Sequence, residues 1–590
     1  MLNKILLLLA LGACPLASAS VQSDFEHALV RADLAGAVWS TVQGGQITTG
    51  AAGLKNAATG ERMAAYHKVH VGSVAKTVLA LGVLRLVTDG KLTLDTPLAP
   101  LVPSLKLTNV WAASDPVRVR HLLAHTSGLD NIRFWQMFSL KPRPDTPLAA
   151  AFEGDPSLLK VNARPGSRHA YSNMNYALLG MVIEAVSGER YERFLDRQLL
   201  HPLGMADSTF GFVSQEGPAA DSRLAMGHFE QHQTQAAVPM YLRPSSQFTT
   251  TAADMARFAS FLMGDGAALV RPDLMRQLER PGGTDAAMAG LNAGHGLALA
   301  VRDRHGVAGA CHPGGMVGYV AMLCVYREQG KAFFVAFNAD SEGANYEQFY
   351  QRLMAQLALA PPATPTKAVQ PPPAMAQWSG WYVPVSFTVS TLAWTDIVFN
   401  FVRVDWDGRT LHLAPGQAPA KALVPAGGML FRATGRVESS HVLMRGADGR
   451  RVISDGLRTY EQTSAGRLFM LWASLAAGLA GLAYVLVRGL WHCGTRRSFQ
   501  GTLAIPLAST LALLLPVPFF YSQSFLELGE RTVASLLLAA VTAILPVAMA
   551  WGLWRGRRDG QIGDRIALVA VLQCLALLAV WGLIPFRLWH

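Results

Sequence analysis

The sequence predicts an α+β fold in three consecutive parts: an exported domain of mixed helices and strands, a small all-β domain, and a four-helix transmembrane region. Three observations point there. The 590-residue chain is too long for one ordinary core. It is 51% hydrophobic and only 15% charged, greasier than an average globular chain. Its hydrophobic period also changes along its length, from mixed helical and β patterns to strand alternation and then to four long apolar runs.

The first element is a leader over 1–19. It has Lys4, an apolar run from Ile5 to Leu11, and Ala17-Ser18-Ala19, the three parts of a secretory signal with cleavage after Ala19. Leu11-Gly12-Ala13-Cys14 loosely matches a lipoprotein box, but Gly12 and Pro15 spoil it, so export without lipidation is expected. Residues 20–357 mix long helical patterns with short β runs, enough chain for a full enzyme domain. Residues 358–377 form a proline-rich, semi-rigid linker. Over 378–463 apolar and polar residues alternate, and Asp407-Gly408 and Asp448-Gly449 each separate two such runs as hairpin turns. A small antiparallel barrel or sandwich is expected there, with Trp378, Trp381 and Tyr382 in its core.

The last part, 464–590, holds apolar stretches at 468–487, 502–521, 533–551 and 566–584, each close to the ~20 residues that cross a bilayer. The first loop between them carries Arg488, Arg496 and Arg497, and the third carries Arg555, Arg557, Arg558 and Arg565. The second carries Glu527, Glu530 and Arg531. Basic loops stay in the cytoplasm, so the exported domain is expected on the periplasmic face of a bacterial inner membrane. No Asp, Glu or Lys lies mid-stretch, so an anchor in the lipid bilayer is expected rather than an ion pathway.

The net charge of +11 comes with no Lys/Arg-rich run, so nucleic acid is not an expected partner. Sixteen histidines show no metal-binding spacing, and no metal or other cofactor is expected. The five cysteines make no disulfide framework. Cys311 and Cys324 flank an expected hairpin and are read as two half-buried thiols.

Chemistry concentrates in three short segments. In His70-Val71-Gly72-Ser73-Val74-Ala75-Lys76-Thr77, Ser73 and Lys76 stand three apart at the start of an apolar helix and share one face. A serine hydroxyl needs a base to become a nucleophile, and a buried lysine loses enough of its preference for charge to act as one. In Tyr171-Ser172-Asn173, at the start of another helix, the tyrosine suits a proton shuttle and the asparagine a hold on Lys76 or on a substrate amide. In His312-Pro313-Gly314-Gly315, beside a β run, glycines let a substrate backbone lie close and the Gly315 N–H is placed to donate.

These segments, in this order, resemble the serine β-lactamase and penicillin-binding-protein superfamily, and most closely its class C β-lactamase-like hydrolases. Val117–Leu129, the stretch from Pro165 through His201-Pro202-Leu203-Gly204-Met205, Thr251–Phe258 and the strand ending at Phe337-Asn338 extend the likeness over roughly 22–357. The resemblance implies an antiparallel sheet flanked by helices with a helical subdomain beside it. It implies Ser73 as acylated nucleophile, Lys76 and Tyr171 as the proton-handling pair, and an oxyanion hole from the Ser73 and Gly315 N–H groups. Asn173, His312 and Gly314 would line the site for a small-molecule or peptide substrate. His125-Thr126-Ser127-Gly128 would be a structural turn, and Arg168 and His169 are read as a solvated loop.

The sequence departs from that pattern where Lys-Thr-Gly would stand and His312-Pro313-Gly314 stands instead. A cation, a hydroxyl and a backbone N–H that would hold a carboxylate are gone. Arg243–Phe248 likewise replaces a glycine-rich turn. The expected activity is therefore hydrolysis of an amide or ester through an acyl-Ser73. Relatives fused to helical anchors look like D-amino-acid-directed peptidases. β-lactamase, D-Ala-D-Ala carboxypeptidase and a non-catalytic cell-wall-fragment sensor are the rival readings.

Overall fold

The computed structural model of the chain describes residues 13–266, 268–361, 369–387, 389–446, 448–496 and 501–589. Most of the expected leader, and 362–368 of the expected linker, therefore lie outside the described residues. A helix, α1 (Ala13–Arg31), leads into a seven-stranded antiparallel sheet. The strands are β1 (Gly36–Gln43), β2 (Gln46–Asn56), β3 (Glu61–Arg62), β4 (Ala300–Arg304), β5 (Val307–Met316), β6 (Tyr319–Tyr326) and β7 (Lys331–Phe337), in the order β3-β2-β1-β7-β6-β5-β4.

Strand alternation splits the side chains between two cores. Phe333, Val335 and Phe337 pack on one face with Phe25 and Leu29 of α1 and with Phe349 and Leu353 of the helix Glu347–Gln356. Phe334 and Ala336 pack on the other with three helices: α2 (Ala75–Thr88), α3 (Asn173–Ser187) and α4 (Ala252–Met263). Gly82 lets α2 lie close to the neighbouring helical segment, because a Cβ there would stand 2.1 Å from Leu195 Cδ2. The Ser172 side chain caps α3 by accepting from the Asn175 N–H, and Gly188 ends it in the left-handed region.

One expectation about this sheet is overturned. Cys311 and Cys324 are directly opposed on β5 and β6 with Cα atoms 4.1 Å apart, and they form a disulfide. Close-set antiparallel pairs bring Cβ atoms near enough to bridge. Both cysteines are buried on the α1 face, so the adjacent His312 points to the opposite face.

The eight strands between Gly380 and Thr463 close into an antiparallel barrel. Both Asp-Gly turns are where the alternation placed them, joining Trp406 to Leu411 and Arg445 to Arg451. Trp378 and Tyr382 are buried in the barrel core, whereas Trp381 packs at its edge against Phe401. A helix, Ala393–Phe399, interrupts the alternation between the first two strands.

Among the described residues, four helical stretches are long and apolar enough to cross a membrane: Ala465–Thr495, Ala504–Ser522, Val533–Arg557 and Ile562–Val580. The second is broken into Ala504–Ala512 and Val517–Ser522, with Pro516 capping the second piece. Gly478 and Gly481 let the first and fourth approach closely, since a Cβ at either would lie 2.5 Å from Cys574 Cβ or 2.6 Å from the Ala567 carbonyl oxygen. The connector between the second and third folds back onto the sheet-bearing part. Glu530 Oε1 accepts from Ser139 Oγ and from the Leu140 N–H, each at 2.8 Å, and Phe525 packs on Phe138 and Phe229.

Candidate active site

Ser73 lies in a single 3-10 turn, Gly72–Val74, that feeds directly into α2. Gly72 holds φ at +52°, and a Cβ on it would fall 2.6 Å from the Gly315 carbonyl oxygen. Gly314 is as constrained, since its Cβ would meet the Val71 carbonyl oxygen at 2.0 Å. Only glycine at 72 and 314 allows the edge of β5 to lie against the turn. That contact brings the Ser73 and Gly315 backbones side by side.

Lys76 follows one turn later and is fully buried. Its Nζ has three oxygen neighbours: Ser73 Oγ at 2.9 Å, Asn173 Oδ1 at 2.7 Å and the Ser245 carbonyl at 2.7 Å. Burial holds its pKa well below the ordinary lysine value. Asn173 is fixed in turn, because its N–H and Nδ2 both donate to Asn131 Oδ1. Tyr171 donates to Ser73 Oγ at 3.0 Å, and burial pushes its pKa up, so the phenol keeps its proton. The Lys76 Nζ stands 5.0 Å from the Tyr171 ring centroid. Asn173 and Ser245 present carbonyl oxygens that only accept. A neutral lysine satisfies both with its two N–H groups and keeps its lone pair for the Ser73 hydroxyl.

His312 is buried, with its ring centroid 6.5 Å from that of Tyr171. Its Nδ1 lies 2.7 Å from the Pro313 carbonyl, so Nδ1 carries the proton and Nε2 the lone pair. Burial first, then the neighbouring Lys76, lowers its pKa to about 3. Where a lysine would present a cation, this chain presents a neutral acceptor.

The structure thus brings Ser73, Lys76, Tyr171, Asn173, His312, Gly314 and Gly315 together. The sequence did not disclose the rest of the setting. His125 turns at φ +55° and accepts the Ser172 N–H through Nδ1, which fits a structural turn, but its ring also stacks on Tyr171 at 4.3 Å. His295 and His169 meet it edge to face behind, at 5.1 and 5.8 Å from His125. Arg168 and His169 are not a solvated loop. The barrel packs on them, with His169 Nδ1 3.1 Å from the Leu457 carbonyl and Arg168 paired to Glu461 at 3.5 Å. Ser245 belongs to the segment already noted as departing from a glycine-rich turn, but a backbone carbonyl ligand leaves no signature in side-chain types. Among the described residues no group of three or more His, Cys, Asp or Glu is arranged to hold a metal ion.

Comparison with known proteins places most of this domain within one family. The profile described as Beta-lactamase covers residues 21–356. The chain is 27% identical to Penicillin-binding protein 4 of Amycolatopsis lactamdurans, over 60% of this chain and 95% of that protein. It is 32% identical to Esterase EstB of Burkholderia gladioli, over 35% of this chain and 54% of the esterase. Among solved structures, SurE superposes with a TM-score of 0.50 at 24% identity, over 76% of this chain and all of SurE, a likeness of fold.

Proposed function

The chain belongs to the beta-lactamase family of serine hydrolases, and from that premise we propose a membrane-anchored enzyme that hydrolyses an amide or ester through an acyl-Ser73 intermediate. The observation that carries the reading is the oxygen of Ser73 held between the Lys76 amine at 2.9 Å and the Tyr171 hydroxyl at 3.0 Å. As Oγ attacks the carbonyl carbon, its proton passes to the Lys76 lone pair. The oxyanion that forms is met by the Ser73 and Gly315 N–H groups. Tyr171 gives its proton to the departing nitrogen or oxygen, and the proton on Lys76 restores the phenol. Water then repeats the sequence on the acyl-enzyme, giving one proton back to Ser73.

His312 bears on the substrate. A neutral acceptor favours a group carrying N–H or O–H beside the scissile bond, and it offers nothing to a carboxylate. That supports neutral amides and esters over β-lactams and over peptides ending in a free D-alanine. Placement outside the cytoplasm is supported by the Cys311–Cys324 disulfide, a bond of oxidising compartments. It is supported again by packing. The start of the first apolar helix (Leu468), the connector at Glu530 and the segment after the fourth helix (Trp581) all touch the catalytic unit or the barrel, as three ends on one side of a bilayer would. The basic loops lie at the opposite ends.

The test is intact-mass spectrometry on the full chain in detergent beside Ser73→Ala, with an N-acyl-D-amino-acid amide, an aryl ester and one β-lactam. The expected outcome is an acyl adduct or turnover on wild type alone, with the β-lactam slower by roughly tenfold to a hundredfold for want of the charged contact. An adduct on both proteins removes Ser73 from the chemistry. Tight binding with no reaction makes the protein a sensor.

A further inference from the structure

A cavity of about 320 Å³, not lined by Ser73, opens where three parts of the chain meet. Ile132 and Met137 of the catalytic unit, Val389 and Leu392 of the barrel, and Leu583 and Phe586 beyond the last apolar helix form its apolar wall. We propose that this cavity holds an acyl chain of an anionic phospholipid from the adjacent leaflet, with the lipid phosphate on Arg587. The inference rests on the membrane-anchored reading above.

Three observations select this occupant. The first is depth. The fourth helix ends at Val580, Trp581 packs on the cluster of Val383, Ile397 and, at the start of the first helix, Leu468, and the cavity begins at Gly582. The tryptophan at the end of the fourth helix marks the headgroup level, so the opening lies where lipid chains and headgroups meet. The second is charge. Arg587 lines the cavity, is exposed, and has no hydrogen bond or ion pair among the described residues. The other guanidinium, Arg133, is buried and already paired with Asp130 at 2.9 Å and Asp155 at 3.9 Å. A free cation at the headgroup level is complementary to a lipid phosphate.

The third is separation from the chemistry. Asn131 faces the active site through Asn173, while its neighbour Ile132 faces the cavity. None of Ser73, Lys76, Tyr171, Asn173 or His312 lines it. Asp130 joins the two sides, its carbonyl accepting from Ser172 Oγ and its carboxylate pairing with Arg133 and accepting from Ser390 Oγ of the barrel. The lipid would therefore brace the catalytic unit and barrel against the membrane surface without entering the reaction.

The experiment reconstitutes the full chain in phosphatidylcholine nanodiscs containing phosphatidylglycerol with a diazirine at its acyl terminus. After irradiation, adducts are located by peptide mass spectrometry. Adducts on peptides spanning 132–137, 389–392 or 583–588 are expected. Their yield should fall at least fivefold in Arg587→Glu, an exposed change, and in Val389→Trp, which fills the cavity. Adducts confined to the apolar helices overturn the site while leaving the anchor standing; failure of the chain to enter nanodiscs at all removes the anchor and the site together. Equal labelling by the choline analogue of the probe overturns the anionic assignment. Displacement by an N-acyl amide but not by unlabelled phosphatidylglycerol assigns the cavity to a substrate tail instead.

Discussion

Lys76 can serve as a base only while it is neutral, and burial of the amine against two carbonyl oxygens instead of a carboxylate favours that form. Its pKa is lowered by that burial, so the active form gains as pH rises through the lowered value, and kcat/KM should show an acid limb below the ordinary lysine range. Lys76→Met should cost about 10²–10⁴ in kcat/KM, a range typical of a lost general base. A fall of less than tenfold would move the first proton transfer to Tyr171. The tyrosine separates by leaving group. Tyr171→Phe should slow an anilide far more than an aryl ester, because aryloxide departs without a proton; equal losses on both would remove Tyr171 from leaving-group protonation. Ser73, Lys76, Tyr171 and Asn173 were legible in the sequence because each announces its chemistry by type and by position at a helix start. The Ser245 carbonyl, and the depth at which His169 and His295 are buried, were not, since neither depends on local spacing.

The hairpin of β5 and β6 shows what an element adds to its residues. It carries His312 and Gly314 on the face toward Ser73 and the disulfide on the other. The hairpin was readable from its glycines and flanking β runs, and so were the barrel's two Asp-Gly turns. The disulfide was not, because bridging is decided by Cα separation, which the register alone fixes. Closing a short loop of this kind contributes about 3 kcal/mol. The double variant Cys311→Ala, Cys324→Ala should therefore unfold at a lower temperature, and its kcat should fall as the hairpin loosens against Gly72; calorimetry beside steady-state rates checks both. Gly314→Ala is the sharper probe. With Val71 O only 2.0 Å from the new methyl, the strand must move off the Ser73 turn, and activity should drop with about 1–3 kcal/mol of stability. An active, unshifted Gly314→Ala enzyme would mean that this close approach does not set the site.

At the scale of the whole molecule the histidines join the parts. His169 reaches the barrel through the Leu457 carbonyl, and a Cβ at Gly294, beside His295, would lie 3.1 Å from the Gly456 carbonyl oxygen. His125, His169, His295 and His312 therefore sit where the barrel closes over the catalytic unit, with Lys76 and Tyr171 as their polar neighbours. All four are held below the ordinary histidine value, chiefly by burial: His312 falls to about 3, His125 and His295 well below 6.5, and His169 below it. Other histidines and Lys76 add to this at His125 and His295, and Lys76 does at His312, whereas the Leu457 carbonyl and Asp455 oppose it at His169. The sign follows from linkage. The unfolded chain takes up these protons near 6.5 while the folded one refuses them, so stability is present above that pH and is lost as pH falls toward about 3. Each histidine contributes a slope of up to about 1.4 kcal/mol per pH unit in that window. Because the chain has several cooperative parts, the loss should begin at the seam and not as global unfolding. Hydrogen exchange between pH 7 and 5 should show protection disappearing first at Asp455–Thr459 of the barrel, before the strands of the sheet. His169→Gln, which keeps a hydrogen-bond donor but cannot gain a charge, should reduce that pH dependence. If the Asp455–Thr459 amides hold their protection to pH 5, or if His169→Gln leaves the slope unchanged, the histidine seam does not govern how the barrel is held.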